Sequence, residues 1–260
     1  MSLDELSPPD VTGADALLKD TSGTSDGPES SAEAVPEVSG EAPGEVPAEF
    51  TMGAHALATQ LVGKLCHDFI SPAGAIISGL DLLEDPTAQD MKQEALNLIS
   101  ASAKKLVTLV HFARVAFGAA TTSEAFNAGQ LKKILDDIFS TMRAELEFDI
   151  PSDVIFEKPV ARALLNLGLL AGNALPVGGK AKLCLTRNAE TLILTSESRG
   201  PRARLKPEAI EGLTGLPLGD GLSGQWIQPH WLYSVVHEAR GTIEISSDID
   251  LLALKIILPA

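Results

Sequence analysis

Apolar residues return every three or four positions from residue 61 onward. At about 100° per residue, Leu61, Leu65, Phe69, Pro72, Ile76, Leu80 and Leu83 fall on one stripe of a helix, and Val62, Cys66 and Ala73 widen it to one side. The spacing predicts a helix over 52–85 with Pro72 in its interior. A proline there removes one backbone hydrogen bond and crowds the carbonyl four residues back, that of Asp68, so a bend is expected beside that residue. Asp85-Pro86-Thr87 reads as a tight turn. A second helix is predicted over 88–118, where Leu96, Ile99, Ala103, Leu106, Val110, Ala113 and Phe117 keep a three-four spacing without a break. Two long helices joined by a short turn form a hairpin, and each stripe is wider than one partner helix covers. Pairing two hairpins into a four-helix bundle would bury the remainder, so a homodimer is expected. Coverage of the hairpin by the C-terminal part of the same chain is the competing arrangement.

The pattern changes after a small-residue linker at 118–123. Helices are predicted at Gln130–Arg143, Val160–Leu175, Lys206–Leu213 and His230–Arg240. Strands are predicted at Glu147–Ile150, Lys180–Arg187, Thr191–Ser198, Gly241–Ser247 and Leu251–Leu258. Helices mixed with antiparallel strands give an α+β fold, an α/β sandwich with its helices on one face. The expected organisation is an acidic tail over 1–50, the helical hairpin over 51–120 and the sandwich over 124–260.

Charge sharpens that division. Of the net charge of −15, residues 1–50 carry −11, from twelve acids and one Lys, and Phe50 is their only aromatic. Too little apolar surface is available there to offset the entropy of ordering, so this tail is expected to stay disordered. The acidic balance and the lack of a basic stripe argue against direct binding of nucleic acid. No apolar run is long and clean enough to span a bilayer, and the N-terminus lacks the layout of a signal peptide. Cys66 and Cys184 fit neither a metal spacing nor a disulfide framework. A cytoplasmic protein without a membrane partner is expected.

The candidate chemistry lies on the wet side of the first helix. His67 points roughly 150–190° away from the apolar stripe. Lys64 and Ser71 share its face, Gly63 and Gly74 flank it, and Ile70 and Ile77 border it, either as edge core or as apolar anchors for a partner. An acid follows the histidine and a proline stands five residues on. His67-Asp68-Phe69-Ile70-Ser71-Pro72 resembles the His-Asp/Glu-x-x-x-Pro phosphoacceptor box of histidine kinase dimerisation domains. From Leu65 to Met91 the wording is similar to that of the ChpT-type histidine phosphotransferases, and the resemblance extends more weakly over about residues 55–260.

Further along, Leu170-Ala171-Gly172-Asn173-Ala174-Leu175 resembles the asparagine box of the kinase ATP-binding domain, and Arg240-Gly241-Thr242-Ile243-Glu244-Ile245 resembles the glycine and strand after its last helix. The nucleotide chemistry departs from that pattern. Ser198-Arg199-Gly200-Pro201-Arg202 stands in place of Asp-x-Gly-x-Gly, and Leu169 in place of a metal-binding Asn. Arg202 would bring a long cationic side chain where the second glycine permits close approach. Gly219–Gly224 is either a trace of the kinase lid or a surface loop.

The resemblance implies a dimeric phosphorelay protein. On that resemblance it would take a phosphoryl group from the receiver aspartate of a hybrid histidine kinase onto His67 and pass it to response regulators that control the cell cycle. A neutral imidazole is a competent nucleophile near neutral pH. The Mg²⁺ would sit in the partner's receiver domain, and no cofactor or metal of the chain's own is expected. Asp68 could accept the second ring N–H and fix the tautomer, or pair with Lys64 one helical turn back. Lys64, Ile70, Ser71, Gly74 and Ile77 are the expected partner contacts, and Arg199, Arg202 and Arg204 a polar surface for an acidic receiver face. An ATP-dependent histidine kinase core and a non-catalytic dimer that sequesters regulators are the alternative readings.

Overall fold

The computed structural model describes residues 52–118 and 125–260; the tail expected over 1–50 lies outside the described residues. The first helix, α1 (Ala54–Glu84), runs without interruption through Pro72, whose ring is buried. A 3₁₀ turn at Gln89–Met91 leads into α2 (Lys92–Ala116). The reversal between them is held by Asp85, whose carboxylate accepts from both the backbone N–H and the hydroxyl of Thr87, each at 2.7 Å. The two helices cross closely because position 79 is glycine: a Cβ there would lie 2.6 Å from Ile99 Cγ1 and 3.2 Å from the Ala95 carbonyl oxygen.

The hairpin buries less than its stripes offer. On α2 the buried residues are Ala95, Ser102, Phe112, Ala113, Val115 and Ala116, so of the expected seam only Ala113 is fully covered. Ile99, Ala103 and Leu106 are half-buried, and Leu96 and Val110 are exposed, as is Val107. On α1, Leu61 and Pro72 are buried while Leu80 is exposed. One partner helix covers one side of a stripe and leaves the other to solvent.

The remaining elements are β1 (Ala125–Asn127), α3 (Ala128–Phe139), β2 (Ala144–Asp149), β3 (Ile155–Glu157), α4 (Lys158–Asn173), β4 (Gly179–Arg187), β5 (Thr191–Arg199), α5 (Pro207–Leu213), α6 (Ser223–Glu238), β6 (Thr242–Asp248) and β7 (Leu251–Pro259). Five strands form one sheet in the order β2-β4-β5-β7-β6, with β2 and β4 parallel and the other neighbours antiparallel. Alternate residues of β5 and β7, among them Leu194 opposite Ile256, point into a core shared with Leu164 and Leu167 of α4. On the other face Lys182 pairs with Glu147 and Asp149, each at 3.1 Å. The mixed α+β architecture is as expected.

Several boundaries differ from the sequence expectation for local reasons. α3 begins at Ala128 because Asn127 and Gln130 form a reciprocal capping box. The last helix, α6, begins at Ser223 rather than at His230: Pro229 in its interior forfeits one hydrogen bond but does not stop the helix. β1 and β3 are three residues each and pair with one another, too short to leave a periodic signal.

The hairpin is seated on the sandwich through its base. The last carbonyls of a helix have no partner within it, and here they are met by the second domain. Ala116 O accepts from Asn166 Nδ2 at 3.3 Å and from Trp231 Nε1 at 3.1 Å, and Gly118 O accepts from Arg162 at 2.6 Å. Leu61 of α1 packs against Trp226 and Ile227 of α6. Coverage by the C-terminal half is thus realised at one end of the hairpin and absent along its far half, where Leu80 and Leu96 stay exposed.

Candidate functional site

α1 carries its buried residues on one side, which turns His67 outward; 86% of the imidazole side chain is exposed. Asp68 lies beside it with Oδ1 at 3.5 Å from Nδ1, a charge contact longer than a good hydrogen bond. The other carboxylate oxygen accepts from Lys64 Nζ at 2.6 Å. Asp68 is therefore anchored by Lys64, and at this distance it does not accept the hydrogen bond expected from the ring N–H. The Lys64 side chain is only 17% exposed, held along the junction of hairpin and sandwich.

Ile70 and Ile77 are 70% and 58% exposed, so neither is edge core within this chain. Ser71 and Gly74 are exposed as well, and a Cβ added at Gly63 or Gly74 would meet nothing within 4 Å. Cys66 is also exposed. The face around His67 is open and built of small side chains flanked by two isoleucines.

What the sequence did not reveal is the opposite wall. A cavity of about 380 Å³ lies between His67, Lys64 and Asp68 on one side and Leu222–Gln225, the start of α6, on the other. A neighbouring cavity of about 250 Å³ shares Lys64, Gly224 and Gln225 with it and extends to Asn173, Arg204 and Lys206. Residues 222–225 lie more than 150 positions from His67 in sequence. Of the segment read as a lid trace or surface loop, 219–222 is loop, and Ser223 and Gly224 open α6 against the histidine.

The place of the kinase adenine site is filled differently. Ser198 is fully buried and donates its hydroxyl to Ala171 O at 3.0 Å. Arg202 stands at the position of the second glycine of the Asp-x-Gly-x-Gly box. It is exposed, its backbone at φ 61 is held by an N–H bond to Asp250 Oδ1 at 2.8 Å, and a Cβ on Gly200 would already lie 2.5 Å from Gly178 O. Arg199 is paired with Glu197 at 2.9 Å, which leaves Arg204 of the three expected arginines beside the His67 region. Among the other histidines, His230 is buried between Trp226 and Tyr233, stacked at ring distances of 4.2 and 5.8 Å. Burial pushes its pKa down, and a hydrogen bond with the Gly212 backbone pulls it part of the way back. No group of metal-binding side chains occurs among the described residues.

Residues 128–250 match the family model of the histidine phosphotransferase C-terminal domain. The chain is 29% identical over 196 residues to Protein phosphotransferase ChpT of Brucella abortus (strain 2308), a match covering 75% of this chain and 92% of that protein. The solved structure of a bacterial phosphotransferase superposes with a TM-score of 0.72 at 27% identity, over 80% of this chain and 98% of that one. Over most of its length the chain is similar to histidine phosphotransferases. On that likeness it is a transferase of a phosphorelay. The family model covers most of the sandwich, and the ChpT match reaches beyond it. The Acinetobacter baumannii histidine kinase AdeS superposes with a TM-score of 0.41 at 16% identity, over 74% of this chain and 97% of that one. No described helix is long and apolar enough to cross a membrane.

Proposed function

We propose that His67 is the phosphoacceptor of this histidine phosphotransferase. The observation that carries the reading is an imidazole exposed to 86% inside the His-Asp-x-x-x-Pro box, on a face left open by small residues. In the proposed reaction a ring nitrogen attacks the phosphorus of a receiver's aspartyl phosphate. The N–P bond forms as the O–P bond breaks, and the carboxylate leaves. The reverse sequence delivers the group to the aspartate of a response regulator. Such transfers depend on in-line positioning and charge neutralisation. The Mg²⁺ for that task belongs to the receiver, and this chain supplies the ring and a docking face. Asp68, held by Lys64, orients the imidazole, and Ser71, Gly74, Ile70 and Ile77 meet the receiver.

The donor in this reading is the receiver of a hybrid histidine kinase and the acceptors are cell-cycle regulators, all in the cytoplasm. The hairpin carries the transfer chemistry and the sandwich has no nucleotide of its own to bind. The commitment of the Ser198 hydroxyl to Ala171 O supports that last point, because it leaves no carboxylate for an adenine amine. The working form is a homodimer. On antiparallel helices the angular position advances in opposite senses, so the exposed residues Val62 and Leu80 of α1 and Leu96, Val107 and Val110 of α2 project from the same face of the hairpin. That shared apolar face supports pairing with a second hairpin.

The test is His67→Gln. The ring makes no core contact, so the variant is expected to fold with an unchanged melting temperature and to accept no label from a ³²P-phosphorylated receiver. Undiminished labelling of the variant would overturn the assignment.

A further inference from the structure

We infer that the sandwich domain forms half of the receiver-docking surface, through the first turn of α6 and a cationic rim at Arg204 and Lys206. This rests on His67 being the phosphoacceptor.

The His67 cavity has two walls, and only one belongs to α1. The other is Leu222, Ser223, Gly224 and Gln225. An aspartate that comes within bonding distance of the ring must bring the surrounding receiver surface against that second wall. Leu222 is 67% exposed there, a large apolar side chain without cover, and its neighbours Ser223 and Gly224 are small and exposed. The cavity continues past Lys64, Gly224 and Gln225 to Arg204 and Lys206, both exposed.

Charge selects the occupant. The site that delivers or receives the group on a receiver must hold a phosphoacceptor carboxylate together with further oxygen ligands for a divalent cation, so it is acidic. Two acids near the rim already hold donors. Asp68 is bound to Lys64. Glu211 accepts the Gly219 N–H at 3.2 Å, and Glu208 lies against Gly221. Asp220 is the exposed acid of that loop. The chain is acidic as a whole, at −15, so a local cationic rim beside the histidine steers an acidic partner to one place and repels it elsewhere. Arg204 and Lys206 are positioning residues for the encounter and touch no reacting atom.

The experiment compares the wild-type chain with Arg204→Glu/Lys206→Glu and with Leu222→Asp, all at solvent-exposed positions. Transfer from a ³²P-phosphorylated receiver is followed over receiver concentration and ionic strength, and His67 is labelled in parallel with phosphoramidate, a small donor that needs no docking surface. The double charge reversal is expected to raise the apparent KM for the receiver by about tenfold or more, with kcat within about twofold, and to flatten the salt dependence. Leu222→Asp is expected to raise KM similarly with little change in salt dependence. The charge-retaining swap Arg204→Lys/Lys206→Arg should restore the wild-type KM, and phosphoramidate labelling should be equal throughout. An unchanged KM in both disruptive variants would overturn the docking surface. Wild-type chain labelled by neither donor on His67 would instead overturn the phosphoacceptor reading and this inference with it.

Discussion

His67 and His230 sit on helices of the same molecule in opposite surroundings. The first is exposed, with Asp68 beside it at 3.5 Å; the second is buried in an aromatic stack between Trp226 and Tyr233. Burial lowers the pKa of His230 below its ordinary value near 6.5. As pH falls the unfolded chain therefore takes up its proton first. The contribution of this residue to stability is full above the unfolded pKa and is lost as pH falls through that value toward the lowered folded one. The melting temperature of the wild-type protein should drop between about pH 7.5 and about pH 5.5. In His230→Phe, which keeps a ring in the stack, that dependence should flatten; an equally steep decline in the variant would show that other groups control it. At the reactive end, Asp68→Asn is expected to cost less than about 1 kcal/mol in chemical denaturation, the range of a part-exposed ion pair one helical turn apart. The same variant should slow labelling of His67 by a phosphorylated receiver, and an unchanged rate would leave Asp68 a purely structural partner of Lys64.

At the scale of elements the hairpin depends on small residues at close crossings. Gly79 brings α1 to within contact of Ala95 and Ile99 of α2. Gly79→Val would force Ile99 aside and press on a backbone carbonyl that cannot move alone. A loss of about 1–3 kcal/mol in denaturant unfolding is expected. The same change at Gly63 or Gly74, where a Cβ meets nothing, should cost no more than ordinary helix substitution and serves as the control. The end of α2 is fixed by tertiary donors in place of a helix cap, with Arg162, Asn166 and Trp231 satisfying Ala116 and Gly118. That clamp sets the height of His67 relative to α6.

For the whole molecule, one end of the hairpin is buried by the sandwich, while Leu80, Leu96, Val107 and Val110 stay exposed along one face of it. Val107→Glu/Val110→Glu should dissociate the proposed dimer, because each carboxylate would be stranded without a partner at a cost on the order of 3–5 kcal/mol. Light scattering during gel filtration measures this directly. A wild-type chain that runs as a monomer at micromolar concentration would end the dimer reading.

Periodicity by itself determined the two long helices, the outward turn of His67, and the sandwich strands from Lys180 to Ser198 and from Gly241 to Leu258. Each follows from side-chain direction at 3.6 or 2 residues per repeat, which is local physics. The box around His67 was legible for the same reason, since its members lie within six consecutive residues. The tertiary structure alone decided which part of each stripe is covered, because burial depends on the neighbour and not on the spacing. It alone started α6 at Ser223, where packing on α5 outweighs one proline, and held the Arg202 backbone at positive φ by a bond to Asp250. It alone placed Leu222–Gln225 opposite His67. Contacts across such a separation are set by how α1 and α6 pack through Leu61, Trp226 and Ile227, and no window of sequence records that packing.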